Sequence, residues 1–266
     1  MTLVTETMLR AMLAKGIPNP YSIMRNDKLT PAAKDFLNSR GIRLSVQQQG
    51  DSAEDRNGDS GSPRIPRIPV GVSNRHVHLS PEDVERLFGK GYALSPWREL
   101  SQKGQYAAEE KVSLFGPKGA LHGVRVLGPA RGQTQVEISR TDGFLLGIHA
   151  PVRLSGDLSG TPGMILEGPE GRIALTEGVI VAKNHVHLSP EEARTFGVGG
   201  GDRMMLRTLG DRPVMYCDVI VRIHPSFSLD FHVDTDEANA GHLKTGDAVE
   251  LAGVNGVLLA GGLRGG

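Results

Sequence analysis

The motif His-Val-His-Leu-Ser-Pro-Glu occurs twice in the chain, at 76–82 and at 185–191, an offset of 109 positions (185 minus 76). Four of the nine histidines belong to these two copies. In a strand, residues i and i+2 face the same side and lie roughly 6.6 Å apart. Each pair of imidazoles can therefore converge on one cation. Two such pairs in duplicated halves predict a two-metal site between related domains.

The duplication supplies a third candidate ligand in each half. The stretch 136–142 resembles 231–237, which makes Glu137 and His232 equivalent positions. Three protein ligands with an open fourth position are typical of catalytic zinc, although imidazole and carboxylate also suit iron, manganese or nickel. The simpler alternative is a strand with two ordinary histidines, but the repeat favours metal. The candidate ligands are His76, His78 and Glu137 for one ion and His185, His187 and His232 for the other.

Arginines that lie near Glu137 in the sequence could hold an anion. Arg125, Arg131 and Arg140 are the candidates, and Arg131 follows a Gly-Pro turn that leads into the strand of Glu137. A guanidinium beside a metal is a good clamp for phosphate or carboxylate. For Arg131 we favour this role over a surface salt bridge. Lys118, in a Gly-Pro-Lys-Gly hairpin turn, is a weaker candidate for a phosphate contact.

The other reactive side chains show no such pattern. Cys217 lies in a predicted strand with no histidine at a recognisable spacing, so we expect a small buried apolar residue rather than a nucleophile. The sequence contains neither a G-x-S-x-G elbow nor a Walker A loop. Four histidines are expected to be ordinary surface or packing residues: His122, His149, His224 and His242.

The body of the chain reads as short strands separated by turns. Many short strands at this spacing are typical of small β-barrels or sandwiches, and two short helices begin at the repeated Ser-Pro-Glu. The sequence thus predicts a mainly β fold with short helices, in which the duplicated halves have a pseudo-twofold arrangement. The predicted strands are 68–72, 111–115, 124–127, 135–139, 178–182, 203–208, 217–223, 229–233 and 248–251.

The first 66 residues form an N-terminal extension. Leu9 with Leu13, and Met8 with Met12, recur at four-residue spacing, which predicts an amphipathic helix. Thr30-Pro31 starts a second helix that ends before Gly41. Residues 45–66 are rich in polar residues, Gly and Pro, which predicts a flexible linker. The extension is then either a disordered tail or a helical peptide that docks on a partner through its apolar stripe.

Composition excludes several classes of partner. Lys plus Arg and Asp plus Glu number 30 each, so no global field attracts nucleic acid or an anionic membrane. One cysteine forms no intramolecular disulfide, which fits a reducing compartment. No apolar run approaches the length of about 20 residues that spans a membrane, and the N-terminus lacks the apolar block of a secretory signal. We expect a soluble cytoplasmic protein.

The string Ile-Pro-Val-Gly-Val-Ser-Asn-Arg-His-Val-His-Leu-Ser at 68–80 resembles the phosphate propanoyltransferases, the phosphotransacylases of bacterial microcompartments. The match continues at 105–110, 116–119, 135–142 and 232–239, and it covers about 67–252. The resemblance implies two β-barrel domains with two zinc ions at their interface. It also implies reversible transfer of a propionyl or acetyl group between coenzyme A and phosphate.

The resemblance also assigns residues. It implies zinc at the two sets of candidate ligands, phosphate on Arg131, and coenzyme A contacts at Val72, Ser73, Asn74, Lys118, Arg125 and Asn239. It places 75–182 in the first barrel and 67–74 with 183–266 in the second, since the strand before His76 changes barrels. The extension resembles peptides that direct enzymes into microcompartments, which implies a shell or cargo partner and a location in the lumen. Asn184 departs from the arginine usual before the second histidine pair, which puts a local supporting contact in doubt.

Other functions remain open at this point. A two-metal phosphatase or phosphodiesterase would hold water at the open positions and would need no coenzyme A. A structural zinc protein would fill all four positions of each ion, which three candidates per half do not. A single-metal oxygenase is disfavoured because the histidines form two equal sets. The sequence does not determine the acyl chain, the metal or the docking partner. It also does not determine the oligomeric state, and a homo-oligomer is one possibility.

Overall fold

The computed structural model describes residues 3–13, 17, 21–24, 28–42, 44–47 and 67–259. The chain divides into two compact units, Met1–Ser62 and Pro63–Gly266. Within the described residues, no helix has the length and apolar character needed to cross a membrane. The second unit contains both histidine motifs and the candidate site.

The described residues of the first unit form both predicted helices and four short strands. Its elements are β1 (Leu3–Val4), α1 (Glu6–Ala11), β2 (Tyr21–Met24), β3 (Lys28–Leu29), α2 (Pro31–Asn38) and β4 (Leu44–Gln47). Strand β1 pairs in parallel with β3, and β2 with β4. The hydroxyl of Thr30 accepts a hydrogen bond from the amide of Ala33, which confirms the predicted start of α2.

This unit buries part of the predicted docking stripe in its own core. Leu9 and Leu37 are fully buried and pack with Phe36, whereas Met8 and Leu13 are exposed. Of the predicted linker, residues 45–47 belong to β4 instead, and 48–66 lie outside the described residues. An extension that docks through Leu9 would therefore have to open this core.

The second unit is built from short strands, as the sequence predicts. Its helices are α3 (Pro81–Phe88), α4 (Arg140–Leu146), α5 (Pro190–Phe196) and α6 (Thr235–Ala240). Its strands are β5 (Arg67–Ser73), β6 (His76–His78), β7 (Pro96–Glu99), β8 (Tyr106–Phe115), β9 (Ala120–Gly128), β10 (Gln135–Glu137), β11 (Val152–Arg153), β12 (Ile165–Glu167), β13 (Arg172–Ala174), β14 (Val179–Ala182), β15 (His185–Leu188), β16 (Arg203–Thr208), β17 (Met215–Ile223), β18 (Asp230–Asp234), β19 (Ala248–Val254) and β20 (Val257–Leu258).

One of its two sheets closes into a barrel. The strand order is β16-β17-β15-β18-β5-β19, and pairing of β16 with β19 closes six strands. The other sheet, in the order β11-β14-β10-β6-β9-β8-β12-β13, curls into a half-barrel. Each encloses its own apolar core, with Leu188 and Phe231 in the barrel and Leu79 and Leu114 in the half-barrel. The mainly β prediction with few short helices is confirmed, with one barrel closed and the other open.

The two sheets exchange equivalent strands. Strand β5, which precedes the first histidine motif, pairs in parallel with β18 of the barrel. Strand β14, which precedes the second motif, pairs in parallel with β10 of the half-barrel. Equivalent residues occupy equivalent registers, because Gly71 lies opposite His232 and Ile180 lies opposite Glu137. The exchange ties both histidine motifs to the seam between the sheets.

The predicted helix starts after each histidine motif are confirmed. Ser80 and Ser189 cap α3 and α5, and Glu192 forms a capping box with Ser189. The prediction for Cys217 is wrong, since its side chain is exposed. It alternates with buried Tyr216 on β17, so the period-two pattern of the strand directs it outward.

Candidate active site

In each half, strand pairing places the third candidate ligand opposite the first. His76 is the direct partner of Glu137 across β6 and β10, and His185 is the direct partner of His232 across β15 and β18. The ligand atoms within each set lie within 4.8 Å of one another. We call these sets the first triad (His76, His78, Glu137) and the second triad (His185, His187, His232).

Backbone carbonyls fix the leading imidazole of each triad. Nδ1 of His76 lies 2.8 Å from the carbonyl oxygen of Asn74, and Nδ1 of His185 lies 2.8 Å from that of Lys183. A hydrogen bond donated from Nδ1 leaves the lone pair on Nε2. Oε2 of Glu137 lies 3.3 Å from Nε2 of His76. Equivalent carbonyls thus orient equivalent rings.

The second imidazole of each motif carries an unsatisfied nitrogen. Nδ1 of His78 and Nδ1 of His187 are buried and have no hydrogen-bond partner among the described residues. An unpaired buried polar atom costs about 1–3 kcal/mol, so such atoms in matching positions need an explanation. A divalent cation bound in each triad would satisfy the nitrogen of that triad. The donor set of imidazoles and one carboxylate therefore fits a metal ion in each triad.

Burial holds these imidazoles in the form that binds metal. It lowers the pKa of His78 to about 3 and that of His187 to about 2, and neighbouring positive charges act in the same direction. Burial and His232 lower the pKa of His185 to about 4. These three rings are neutral at neutral pH, as metal ligation requires.

Within the first triad, His76 and Glu137 form an ion pair, although burial disfavours the charged form of each. Burial favours the neutral form of Glu137, but His76 outweighs it and lowers the pKa of the carboxyl group below its usual range. Burial likewise opposes protonation of His76, and Glu137 raises its pKa overall. His185 of the second triad also lowers the pKa of Glu137, so the two triads interact electrostatically.

A polar network joins Arg131 to Glu137. The guanidinium of Arg131 donates to the hydroxyl of Ser155 at 3.1 Å and to the side-chain oxygen of Gln105 at 3.2 Å. Gln135 donates to the same Ser155 and, at 2.6 Å, to Oε1 of Glu137. Gln135 is almost fully buried, and Glu137 follows it by two positions on the same strand face. This contact fixes the carboxylate rotamer of Glu137.

Asp230 supports the second triad, and sequence reasoning missed it. Its Oδ2 lies 2.9 Å from Nε2 of His232, two positions later on the same face of β18. Carboxylates that hold a ligand histidine orient the ring and raise its basicity. The backbone of Gly71 passes so close that an added Cβ would lie 2.9 Å from Oδ2 of Asp230. The signal in the sequence was an acidic residue at i−2 from His232.

Both triads open into one cavity of about 1120 Å³ between the sheets. Of the predicted anion and coenzyme A residues, Val72, Ser73, Asn74, Arg125 and Arg131 line it. Lys118 and Asn239 are exposed and are not among its lining residues. Arg140 is also exposed and lies outside the lining, although it is close to Glu137 in sequence.

An aromatic and cationic patch lies on the cavity wall. The guanidinium of Arg125 lies 4.5 Å from the ring centroid of Trp97, and that of Arg98 lies 5.5 Å from it. Trp97 is 55% exposed, so its ring is accessible to a ligand. The sequence reading assigned no role to Trp97 or Arg98, because Trp97 lies on the exposed strand β7, which the strand pattern did not predict.

A supporting pair behind each triad differs between the halves. Arg75 binds Asp142 with both carboxylate oxygens, at 2.7 and 2.9 Å, and Asp142 is fully buried. At the equivalent position, Asn184 donates to Glu237 at 2.6 Å. In the first half the long side chain of Arg75 reaches the short side chain of Asp142. In the second half the short side chain of Asn184 reaches the longer side chain of Glu237. The departure at Asn184 is matched by a longer partner.

We expect Arg75→Ala to lower the free energy of unfolding by about 3 kcal/mol, because it leaves the carboxylate of Asp142 buried without its cation. Chemical denaturation with a fixed denaturant slope would measure the change. The matched control is Arg172→Ala, which breaks the surface pair with Glu167 and should cost under about 1 kcal/mol. Equal losses in the two variants would contradict the assignment of a buried pair.

Comparison with known proteins identifies the family of this chain. A sequence model of the phosphate propanoyltransferase family matches residues 69–244. The chain belongs to this family. It is 57% identical over 187 residues to a phosphate propanoyltransferase of Thermotoga maritima, which covers 70% of this chain and 89% of the relative.

Other members of the family give the same picture. The chain is 50% identical over 179 residues to the phosphate propanoyltransferase of Listeria monocytogenes, covering 67% of this chain and 84% of the relative. It is 52% identical over 174 residues to that of Salmonella typhimurium, covering 65% and 82%. The resemblance predicted from the sequence is confirmed, and the chain is a transferase enzyme.

Proposed function

We propose that the chain transfers a short acyl group, propionyl or acetyl, reversibly between coenzyme A and phosphate at a dinuclear metal site. The observation that carries the proposal is the pair of equivalent triads in one cavity, in a chain of the phosphate propanoyltransferase family. In the reaction, the bond between the acyl carbon and the phosphate oxygen breaks and a carbon–sulfur bond forms. The thiol proton leaves to the released phosphate or to solvent.

Each triad would hold one divalent cation, zinc or another metal that accepts imidazole and carboxylate. Bound at such a site, a divalent cation favours the thiolate form of a thiol and polarises a carbonyl or phosphoryl oxygen. Side chains of the protein supply and orient the ligands. Glu137 supplies the carboxylate, Gln135 fixes its rotamer, and Asp230 fixes His232.

The cavity divides between the two substrates. Arg131, held by Gln105 and Ser155 next to the first triad, would bind the phosphate. Val72, Ser73, Asn74 and Arg125 would contact coenzyme A on the cavity wall. Lys118 and Asn239 lie outside the lining, and we assign them to the distal part of that long substrate. No cysteine is among the lining residues, which suits direct transfer between the substrates.

A thiol-dependence assay tests this function. Purified protein with measured zinc content would be mixed with acetyl phosphate or propionyl phosphate, and the loss of coenzyme A thiol would be followed. We expect thiol loss equal to phosphate release, and no release without coenzyme A. Release of phosphate at the same rate without coenzyme A would instead establish a two-metal phosphatase. The ratio of rates on the two substrates gives the acyl preference.

We expect Asp230→Asn to lower the zinc affinity of the second triad by about 10- to 100-fold. The substitution keeps the shape of the side chain but removes the charge that holds His232. Competition with a zinc-binding dye would measure it. Asp211→Asn, an exposed aspartate in the turn between β16 and β17, is the control and should leave affinity unchanged. Equal affinities in both variants would show that Asp230 does not support a metal ligand.

The domain division and the cellular location stay predictions. The exchange of β5 and β14 supports a division into 75–182 and 67–74 with 183–266, which we propose as the two domains.

For the first unit we propose docking to a microcompartment shell or cargo protein. Exposed Met8 and Leu13 are its available apolar residues in α1 and the turn that follows. Expression of residues 1–62 fused to a fluorescent protein, with and without Met8→Ser and Leu13→Ser, would test targeting to the lumen.

A further inference from the structure

Arg222 is a cavity residue that the sequence pattern did not single out. It lies at the end of β17 and lines the same cavity as both triads. Parallel pairing with β15 places it directly beside His187 of the second triad. The side chain is partly buried, and its guanidinium lies 5.9 Å from the ring centroid of Phe227.

Among residues 67–259, the guanidinium of Arg222 has no hydrogen-bonded or ion-paired carboxylate. Within residues 67–259, which include every strand of both sheets, it forms no hydrogen bond to a side chain and no ion pair. Burial lowers its pKa, and the negative charge of Glu137 offsets this only in part. Five N–H donors in a partly desolvated position without an acceptor are unfavourable unless a ligand supplies one. Arg131, in contrast, already donates to two neutral side chains.

The two arginines are arranged one to each triad. Arg131 donates to Ser155, which Gln135 links to Glu137 of the first triad, whereas Arg222 is the strand partner of His187 of the second triad. Both arginines line the same cavity, and the positive charge of Arg222 adds to the lowering of the Arg131 pKa that burial causes. Two cations that repel each other across a cavity are stabilised when a dianion lies between them.

We propose that Arg222 binds the phosphoryl group of the acyl phosphate together with Arg131, so that the phosphate lies between one arginine from each sheet. The inference rests on the proposed function and names a second phosphate-binding residue for it. Guanidinium matches phosphate oxygens in a bidentate geometry that a lysine ammonium cannot reproduce. Both halves of the duplicated fold then contribute a cation to the same ligand.

The test is the binding of inorganic phosphate to the zinc-loaded full chain, measured by calorimetry. We expect Arg222→Gln to weaken phosphate binding by about 10- to 100-fold, the value of a lost charge-assisted hydrogen bond. The KM for phosphate in the reverse direction should rise to match, while zinc content and the KM for coenzyme A stay within about twofold. The control is Arg203→Gln on the neighbouring strand, whose guanidinium pairs with Asp218 outside the cavity.

Arg222→Lys separates binding from folding. It keeps the charge and loses the planar fork, so we expect a folded protein with phosphate binding weakened by about 3- to 10-fold. Unchanged phosphate affinity in both Arg222 variants, or a loss confined to coenzyme A, would overturn the inference. If Arg131→Ala impaired phosphate binding while the Arg222 variants did not, the proposed reaction would stand without Arg222. If phosphate bound as expected but no acyl transfer occurred, the proposed reaction would fail instead.

Discussion

Replacing His187 with alanine is expected to abolish acyl transfer and to remove one of the two proposed metal ions. The ring carries a buried Nδ1 with no partner among the described residues, in a triad whose ligand atoms lie within 4.8 Å of one another. Loss of one of three protein ligands leaves a site that holds its ion weakly. A lost contribution of several kcal/mol to the transition state corresponds to roughly 10³-fold or more in rate.

The measurement pairs activity with metal analysis of the same sample. We expect His187→Ala to retain about one equivalent of zinc, because the first triad is intact, and His76→Ala to behave in the same way for the other ion. His122→Ala is the matched control, since His122 is exposed on β9 and bonds Ser113 at 3.0 Å. Full activity of either triad variant at measured metal content would reject the dinuclear proposal.

Arg131→Ala is expected to have the second-largest effect. Truncation of one partner of a buried charged contact costs about 2–5 kcal/mol, which is roughly 30- to 4000-fold in affinity. The substitution also leaves Ser155 and Gln105 without their donor. We therefore expect a large rise in the KM for phosphate in the reverse direction, with zinc content unchanged.

Arg140→Ala is the control for this experiment. Arg140 is close to Glu137 in the sequence. It is nevertheless exposed at the start of α4 and does not line the cavity. Its removal should leave the KM for phosphate unchanged. An unchanged KM in Arg131→Ala as well would mean that Arg131 holds the turn rather than the substrate.

Local pattern was enough to locate the candidate ligands. The His-x-His spacing, the repeat at an offset of 109 and the equivalence of Glu137 with His232 named six residues, and pairing of strands brings them together in two triads. These signals are readable because the side-chain period of a strand is two and because a duplicated half repeats its own pattern. The helix starts at Ser80 and Ser189 are readable for the same local reason, since a cap needs only the next three residues.

Supporting residues were harder to read. Gln135 and Asp230 lie two positions before a triad member, but many polar residues in strands have that spacing without contact. Arg222 belongs to neither histidine motif. The pairing of β17 with β15 is what places it beside His187 of the second triad. The first unit shows what a local pattern leaves undecided. The amphipathic spacing of Leu9 indicates an apolar face, but it does not distinguish a partner surface from the core of the unit itself.

The sequence alone identified the elements of the candidate site: two sets of three candidate metal ligands, a nearby arginine, and a mainly β body of two related halves. The tertiary structure decided how the halves meet. It closed one sheet and left the other curled, exchanged β5 and β14 between them, and opened both triads into one cavity. The physical reason is that ligand spacing within a strand is local, whereas strand exchange and the cavity depend on pairings between distant residues: Glu137 with Ile180, 43 positions apart (180 minus 137), and Gly71 with His232, 161 apart (232 minus 71).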